Sequence, residues 1–549
     1  ELCASQITIY PTTMRHFSLL LDLLREFVYL WSICLREEIQ IMAVYPVRKR
    51  LEARALREKK GRPKTKSATQ KSGAASDYRA ALEIADSRGE LARIRREVDP
   101  LIEIPAVLRA CAPVKPVPAL LFENVKGYPG KRVVGNLFAE HGRFSHMCGF
   151  AEQEAVTKFS YLDALDNPLP PVLVDIAPCQ ENVFTGSVEV ERYLPPTHGA
   201  LNVTRKYYQP VVCTKHPKTG TINLSVYRAC IQPDGRLTVN IRWDQHGGLF
   251  LKQAIERGEP LPVAICIGTA PAVYVAAVSK LPYSESETGF AGSMLGEPLE
   301  MVKCKTIDLE VPAATEIVIE GEIRPPYEKG DDGPWPEFLG YLGMEIHPPI
   351  VDVTCLTHRN DPIANFLIPA SVPHLLGTAT QAQLYRFLRS MFGEFVLDSY
   401  LLPRTSFHNA VIKIHKTEAH QEGLQMNLAL AAFGFINYLD KVTVVDEDVN
   451  IYDPLEIEWA GVTRCDPAKQ IHVLPQARTH QNNPIGGVQE TFNEPITKAK
   501  LVVDATIPWK MKQVKKEGGI TFFTKSQWPP ADLSDYLEPD DRRRILKQR

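Results

Sequence analysis

The chain has 549 residues, 44% of them hydrophobic, and a formal net charge of −2 at pH 7. That length calls for three or four folding units with real cores, and so small a net charge excludes a global electrostatic drive toward nucleic acid, leaving any anion site local. Eleven scattered cysteines with no CxxC pair exclude a zinc ribbon and read as reduced thiols rather than a disulfide frame.

Residues 1–76 read as an appended extension. An apolar start, whose longest run from Phe17 to Leu35 is broken by Asp22, Arg25 and Glu26, is too charged to span a bilayer or to serve as a secretory signal. It is followed by RKRLEARALREKK and GRPKTKSATQKSGAAS, a basic tract running into a polar linker. The expectation is a soluble, cytoplasmic protein, with organelle targeting by this extension left open.

Residues 77–185 open as α/β. Ala80 to Glu97 has helical periodicity, and Ala119 to Glu123 and Lys131 to Phe138 read as strands on either side of a Gly-Tyr-Pro-Gly turn. From 186 to 345 the rhythm changes to short β-branched runs: Gly186 to Tyr193, Pro210 to Thr214, Ile222 to Ile231, Leu237 to Arg242, Pro262 to Gly268, Val302 to Leu309 and Glu316 to Ile323. Hairpin turns at HPKTG and QPDG separate several of them, which predicts a barrel-like middle domain. Between 346 and 530 the alternation returns, with helices at Gln381 to Leu402 and Gln421 to Tyr438 and strands at Val351 to Thr357, Ala410 to Ile414 and Lys441 to Asp446. That is a second α/β domain, and 531–549 is a charged tail.

Several chemistries lose their support on inspection. GxGxxG, GxxxxGK[ST] and HExxH do not occur, and GSMLG is not the GxSxG nucleophile elbow. What remains is polar: Asn223 and Arg228 on INLSVYR, and Gln245 and His246 at the end of IRWDQHGG. Positions five apart face opposite sides of a regular strand, so Asn223 and Arg228 share a site only through a bulge or a strand end. Taken singly, Arg228 reads as a surface cation and His246 as a hydrogen-bonded histidine before a Gly-Gly turn. GDDGPWPEFLGY, from Gly330 to Tyr341, sets acids on both sides of a Pro-Trp-Pro core, more rigidity than a solvated turn needs.

Eight blocks in order then resemble one family: FENVKGYPGKRVVGNLF, NLSVYR, WDQHGG, GEPLPVAICIG, SESETGFAGSMLGEPLE, VPAATEIVIEGEI, DGPWPEFLGY and KVTVVDEDVNIYDPLEIEWA. They resemble the UbiD-type decarboxylases, which include polyprenyl-4-hydroxybenzoate and ferulic acid decarboxylases, over roughly Glu90 to Leu474. The resemblance implies an N-terminal α/β domain, a central split β-barrel holding prenylated FMN, and a C-terminal α/β domain that mediates homo-oligomers. It implies reversible non-oxidative decarboxylation of an aromatic or α,β-unsaturated carboxylic acid, releasing CO2, with a flavin prenyltransferase supplying the cofactor.

By the same resemblance Asn223, His246 and Glu287 hold a divalent metal, Mn2+ or Mg2+, against the flavin phosphate. Glu285 competes with Glu287 for the last place. A monovalent ion, often potassium, accompanies the metal in the family and has no signature here. The cofactor would lie along Asn223, Leu224, Ser225, Val226, Tyr227 and Arg228, with Gln245, His246, Glu287 and Lys441 completing its site. Arg228, Asp332 and Glu337 match the family's catalytic acid/arginine/acid network, with Glu337 as proton donor. One common version has Glu where this chain has Asp332, which puts the reach of the shorter side chain to Arg228 in question. The chemistry suits such a set: loss of CO2 leaves an electron pair that no side chain delocalises, so a cofactor must act as the sink, while a desolvated carboxyl delivers the replacing proton. Two other classes stay in view, a flavin oxidoreductase on the same kind of barrel and a catalytically silent assembly subunit.

Overall fold

Alternation of apolar side chains sets the two faces of the central sheet. In Val211–Lys215, Val211 and Cys213 enter one buried cluster and Val212 the other, while in Leu261–Ile267 Ala264 and Cys266 enter the first and Val263, Ile265 and Ile267 the second. The two-residue period of a strand requires this when both faces are covered.

The computed structural model describes residues 73–546, except 187, 244, 369–372, 406, 481–482, 487–495, 515–521, 527–528 and 530. The segment read as an extension, 1–76, lies outside the described residues apart from its last four. All described elements belong to the unit formed by residues 71–549.

A four-stranded sheet orders Leu91–Ile94, Ala119–Phe122, Arg132–Gly135 and Ile363–Phe366, with helix Tyr78–Ser87 preceding its first strand. The central sheet has nine strands, all antiparallel neighbours, in the order Lys206–Tyr208, Ala229–Ile231, Leu237–Val239, Ile350–His358, Ile317–Ile323, Leu261–Ile267, Val211–Lys215 and Ile222–Val226, with Asn182–Thr185 added beside Ile350–His358. Its first and last strand pairs are successive parts of the same two chain segments. The sheet therefore closes on itself where Gln209-Pro210 faces Tyr227-Arg228. A five-stranded sheet, Val396–Leu401, Asn409–Ile414, Lys441–Asp446, Thr497–Ala505 and Ile471–Arg478, forms the C-terminal layer with helices Pro373–Phe392, Leu424–Phe435 and Pro454–Arg464.

Several expected elements move. The helix expected through Glu97 ends at Ser87, because Gly89 adopts a left-handed conformation (φ 69°) and Leu91–Ile94 pairs in register with Ala119–Phe122. Gly186 to Tyr193 is not a strand: the strand is Asn182–Thr185, and Val190–Arg192 is a short 3-10 turn. Val302 to Leu309 shortens to Glu300–Lys303, paired with Glu310–Pro312. The helix expected over Gln381 to Leu402 runs from Pro373 to Phe392; Gly393 (φ 58°) stops it and Val396–Leu401 becomes a strand.

The strand Ile350–His358, assigned from sequence to the region beyond 345, pairs with Ile317–Ile323 in the central sheet, so that sheet runs past this limit. The tail 531–549 carries the helix Pro539–Leu546. Among the described residues the cysteines at 111, 148, 179, 213, 230, 266, 304, 355 and 465 are free thiols, and no helix is long and apolar enough to cross a membrane.

Candidate active site

A strand at the edge of a sheet leaves outward N–H groups unpaired, and the site starts from that fact. Ile222–Val226 is the last strand of the central sheet, and the N–H of Leu224 donates to the Glu287 carboxylate at 2.9 Å. Glu287 opens the helix Glu287–Leu295, whose cap Ser286 receives the N–H of Thr288 and donates to the Ile222 carbonyl at 2.6 Å. An acid in the first turn suits the helix dipole. Burial nevertheless pushes the Glu287 carboxyl up to about 7, against the opposing pull of the Leu224 N–H. Glu285, its competitor, is exposed.

His246 begins the helix His246–Arg257, with Gln245 as its cap, and its Nδ1 lies 3.9 Å from Glu287 Oε1. Burial holds the imidazole below its ordinary range. The two glycines after it are demanded by packing. A Cβ on Gly247 would meet the Tyr227 hydroxyl at 2.9 Å, and one on Gly248 would meet the Arg242 carbonyl oxygen at 2.0 Å. Asn223 is 3% exposed, and its Nδ2 donates to Ser225 Oγ at 3.1 Å. With that nitrogen engaged, the amide oxygen is the atom left to bind a cation.

After Val226 the strand breaks and resumes at Ala229. The break at Tyr227-Arg228 supplies the irregularity that two residues five apart need in order to line one cavity. Arg228 meets the acids there: Nε donates to both oxygens of Asp332 (2.9 and 3.0 Å) and Nη1 to Glu337 Oε1 (3.1 Å). The shorter Asp332 does reach, because its backbone is brought close. Among the described residues Nη2 takes no partner.

The acids ride on a hairpin-like arm. Asp332 exchanges both backbone hydrogen bonds with Ile346, Gly343 N–H donates to the Trp335 carbonyl, and Glu337 N–H to that of Tyr341. Trp335, 5% exposed, anchors the arm in a cluster with Val203, Tyr207 and Cys230, its ring 4.6 Å from that of Tyr207. The Tyr207 hydroxyl accepts the Gly333 N–H at 2.9 Å, and Gln232 takes the Asp331 N–H and returns a bond to its carbonyl. Two prolines and a buried tryptophan thus fix where the carboxylates point. Burial raises both acids above the usual carboxylate range, with Arg228 pulling each back down and the charge of Asp332 raising Glu337 further.

These groups border one cavity of about 560 Å³, within the roughly 300–1,000 Å³ of small-molecule and cofactor sites. Asn223 through Arg228, Gln245, His246, Glu287 and Glu337 all line it, and Asp332 stands behind Arg228.

Three family profiles match successive parts of the chain: the N-terminal domain of 3-octaprenyl-4-hydroxybenzoate carboxy-lyase (UbiD) over residues 82–162, its Rift-related domain over 172–372 and its C-terminal domain over 374–505. The chain belongs to the UbiD family. An uncharacterized protein of Synechocystis sp. is 32% identical over 440 residues, 73% of this chain and 85% of that protein. The UbiD-class enzyme HmfF from Pelotomaculum thermopropionicum, solved with FMN, matches with a TM-score of 0.74 and 32% identity over 84% of this chain and 100% of that one. An evolved dimeric form of HmfF was solved with prFMN (TM-score 0.70, 30% identity, 85% and 99% coverage). The 3,4-dihydroxybenzoic acid decarboxylase of Enterobacter cloacae matches with a TM-score of 0.75 and 26% identity, over 84% of this chain and 98% of that one.

One residue expected of a UbiD-type site is not in the cavity wall. Lys441 starts the strand Lys441–Asp446 and spends its backbone N–H on the His408 carbonyl at 3.0 Å. Besides Arg228, the cavity is lined by the cations Arg242, whose Nη1 meets His480 Nε2 at 2.5 Å, and Lys280, whose Nζ lies 5.9 Å from the Tyr438 ring centre. Arg242, Lys280 and His480 are not among the site residues expected from the sequence. For Arg242 a signal existed, since it directly precedes WDQHGG; for Lys280 and His480 none did. Among the described residues no group of three His, Cys, Asp or Glu is placed to hold a metal, and the implied set contains only two such residues, with Asn223 as the third.

Two outcomes follow. Arg228→Leu leaves two buried acids without their cation and should lower stability by about 3–5 kcal/mol at neutral pH. Both acids have raised folded pKa values, so protonation favours the folded state, and the deficit should shrink as pH falls; urea unfolding at several pH values reads both effects. Gly248→Ala forces the start of the His246 helix off the Arg242 carbonyl and should cost about 1–3 kcal/mol in the same measurement.

Proposed function

We propose that this chain is a carboxy-lyase that removes CO2 from an aromatic or α,β-unsaturated acid using prenylated FMN and a divalent metal, as a homo-oligomer whose cofactor comes from a flavin prenyltransferase. The observation that carries this reading is the Arg228 guanidinium, joined to Asp332 and Glu337 at the edge of a cofactor-sized cavity. The prFMN bound to evolved HmfF and the substrate of the Enterobacter cloacae enzyme support it.

The residues present fit both groups. An amide oxygen, an imidazole and a carboxylate suit Mn2+ or Mg2+ better than a structural zinc, which favours thiolates and histidines. A cation at Glu287 would also relieve the desolvation that keeps its carboxyl protonated to about 7. The flavin, when bound, supplies the electron sink that decarboxylation needs.

The chain's own residues do the rest. Asp332 occupies the Nε edge of Arg228 and fixes the plane of the fork, leaving Nη2 for the substrate carboxylate. Glu337, held on the arm with its side chain 12% exposed, stays protonated above the usual carboxylate range and delivers the proton that replaces CO2. Gly343 makes room for it, since a Cβ there would lie 2.9 Å from Glu337 Oε1. The low exposure of the acids keeps bulk water from competing as donor.

Glu337→Gln should lower turnover by about 10²–10⁴-fold while the purified protein keeps its flavin, assayed by CO2 release from protocatechuate, 4-hydroxybenzoate and cinnamate. Loss of flavin from the variant would recast Glu337 as structural, and no product from any of the three acids with prFMN-loaded protein would remove those substrates. Because the donor must be protonated, kcat should fall as pH rises through the elevated Glu337 pKa, and Glu337→Gln should abolish that limb of the profile.

A further inference from the structure

The break that presents Arg228 has a counterpart on the neighbouring segment. Tyr208 pairs with Ala229 and Val211 with Val226, so Gln209 and Pro210 cross the gap opposite Arg228 and Tyr227. Gln209 is 6% exposed and lines the cavity. Its Oε1 accepts the Leu367 N–H at 3.3 Å, and its backbone carbonyl accepts Asn365 Nδ2 at 3.3 Å. Asn365 is itself fixed, its Oδ1 receiving the Gly268 N–H at 2.9 Å and the Tyr274 hydroxyl at 3.1 Å. Turning the Gln209 amide over would set its NH2 against the Leu367 N–H, donor against donor. The scaffold therefore dictates which end of the amide is left over.

That end is Nε2, which is buried and has no hydrogen-bond partner. A buried donor without an acceptor is costly enough that folded proteins rarely keep one. Gln209 itself lines the cavity, opposite Arg228 in the register of the two segments. A missing acceptor is the simplest completion of the site.

We propose that Gln209 is a flavin-contacting residue: its Nε2 donates to a neutral acceptor, a carbonyl oxygen or ring nitrogen at the edge of the isoalloxazine, and so sets the ring's position next to Arg228. This rests on the prenylated-FMN reading above. A substrate carboxylate is the poorer match, because it is served by the charged Nη2 of Arg228, whereas a neutral amide complements a neutral carbonyl. Rigid attachment to Leu367 and Asn365 suits a resident group better than one exchanged at every turnover.

The test is FMN binding to the full-length, flavin-free protein with Mn2+ present, followed by quenching of flavin fluorescence and by the visible absorption band. Gln209→Glu keeps the acceptor for Leu367 and removes the donor, and Gln209→Met removes both. Both variants should bind FMN about tenfold more weakly, with the absorption band shifted toward that of free FMN. The flavin-free Gln209→Glu protein should unfold at the parent's temperature. FMN affinity equal to the parent's in both variants overturns the proposal, including the case in which only KM for the acid rises and the donor serves substrate. A matching drop in the flavin-free unfolding temperature of Gln209→Glu also overturns it, by making Gln209 structural. Failure of the parent itself to bind FMN would bring down the cofactor reading, and this inference with it.

Discussion

A guanidinium taken out of water must be met by charge, and in this chain that requirement organises the site. Arg228 is paid for by two carboxylates on one arm, and those carboxylates are in turn tolerable in a buried setting only because of Arg228. Burial raises both acids while the guanidinium lowers them. The balance leaves an ionised arginine beside a carboxyl able to hold a proton. Such a trio can bind an anion at one point and release a proton at another.

The rest of the molecule reads as support for that trio. The central sheet closes through two segments that cross at Gln209-Pro210 and Tyr227-Arg228, and the crossing frees Arg228 from the ladder so that its side chain enters the cavity. Trp335, packed on Tyr207, carries the acids to the same point from more than a hundred positions away. In the wall of the same cavity, an outward N–H of an edge strand aligns Glu287, and two glycines let the His246 helix approach. Each polar position depends on a backbone irregularity: an edge, a break, a close approach or an arm.

Much of this was legible in order along the chain. β-branched alternation gave away the strands Val211–Lys215, Leu261–Ile267 and Ile317–Ile323 because each buries both faces. Boundaries were less legible where a glycine in a left-handed conformation stopped a helix that periodicity would continue, at Gly89 and Gly393. Ile350–His358 was recognisable as a strand, but its partner was not, since pairing across the sheet leaves no local trace. Among site residues, Asn223, His246, Glu287, Arg228 and Glu337 were nameable from motif order, and all line one cavity. Lys441 was nameable too, yet it lies off the cavity wall, and Lys280, Arg242 and His480 are on it without having been singled out.

By itself the sequence determined local chemistry and family: which segments are strands or helices, which acids and bases are available, and that the blocks follow the UbiD order. These are properties of neighbouring residues and of motif succession, readable in one dimension. Only the tertiary structure decided that Asp332 reaches Arg228, that Glu287 rather than Glu285 is buried, and that Gln209, which lines the same cavity, keeps a buried amide nitrogen without a partner. The physical reason is that reach, burial and hydrogen-bond satisfaction depend on groups far apart along the chain, and only the folded backbone sets their separation.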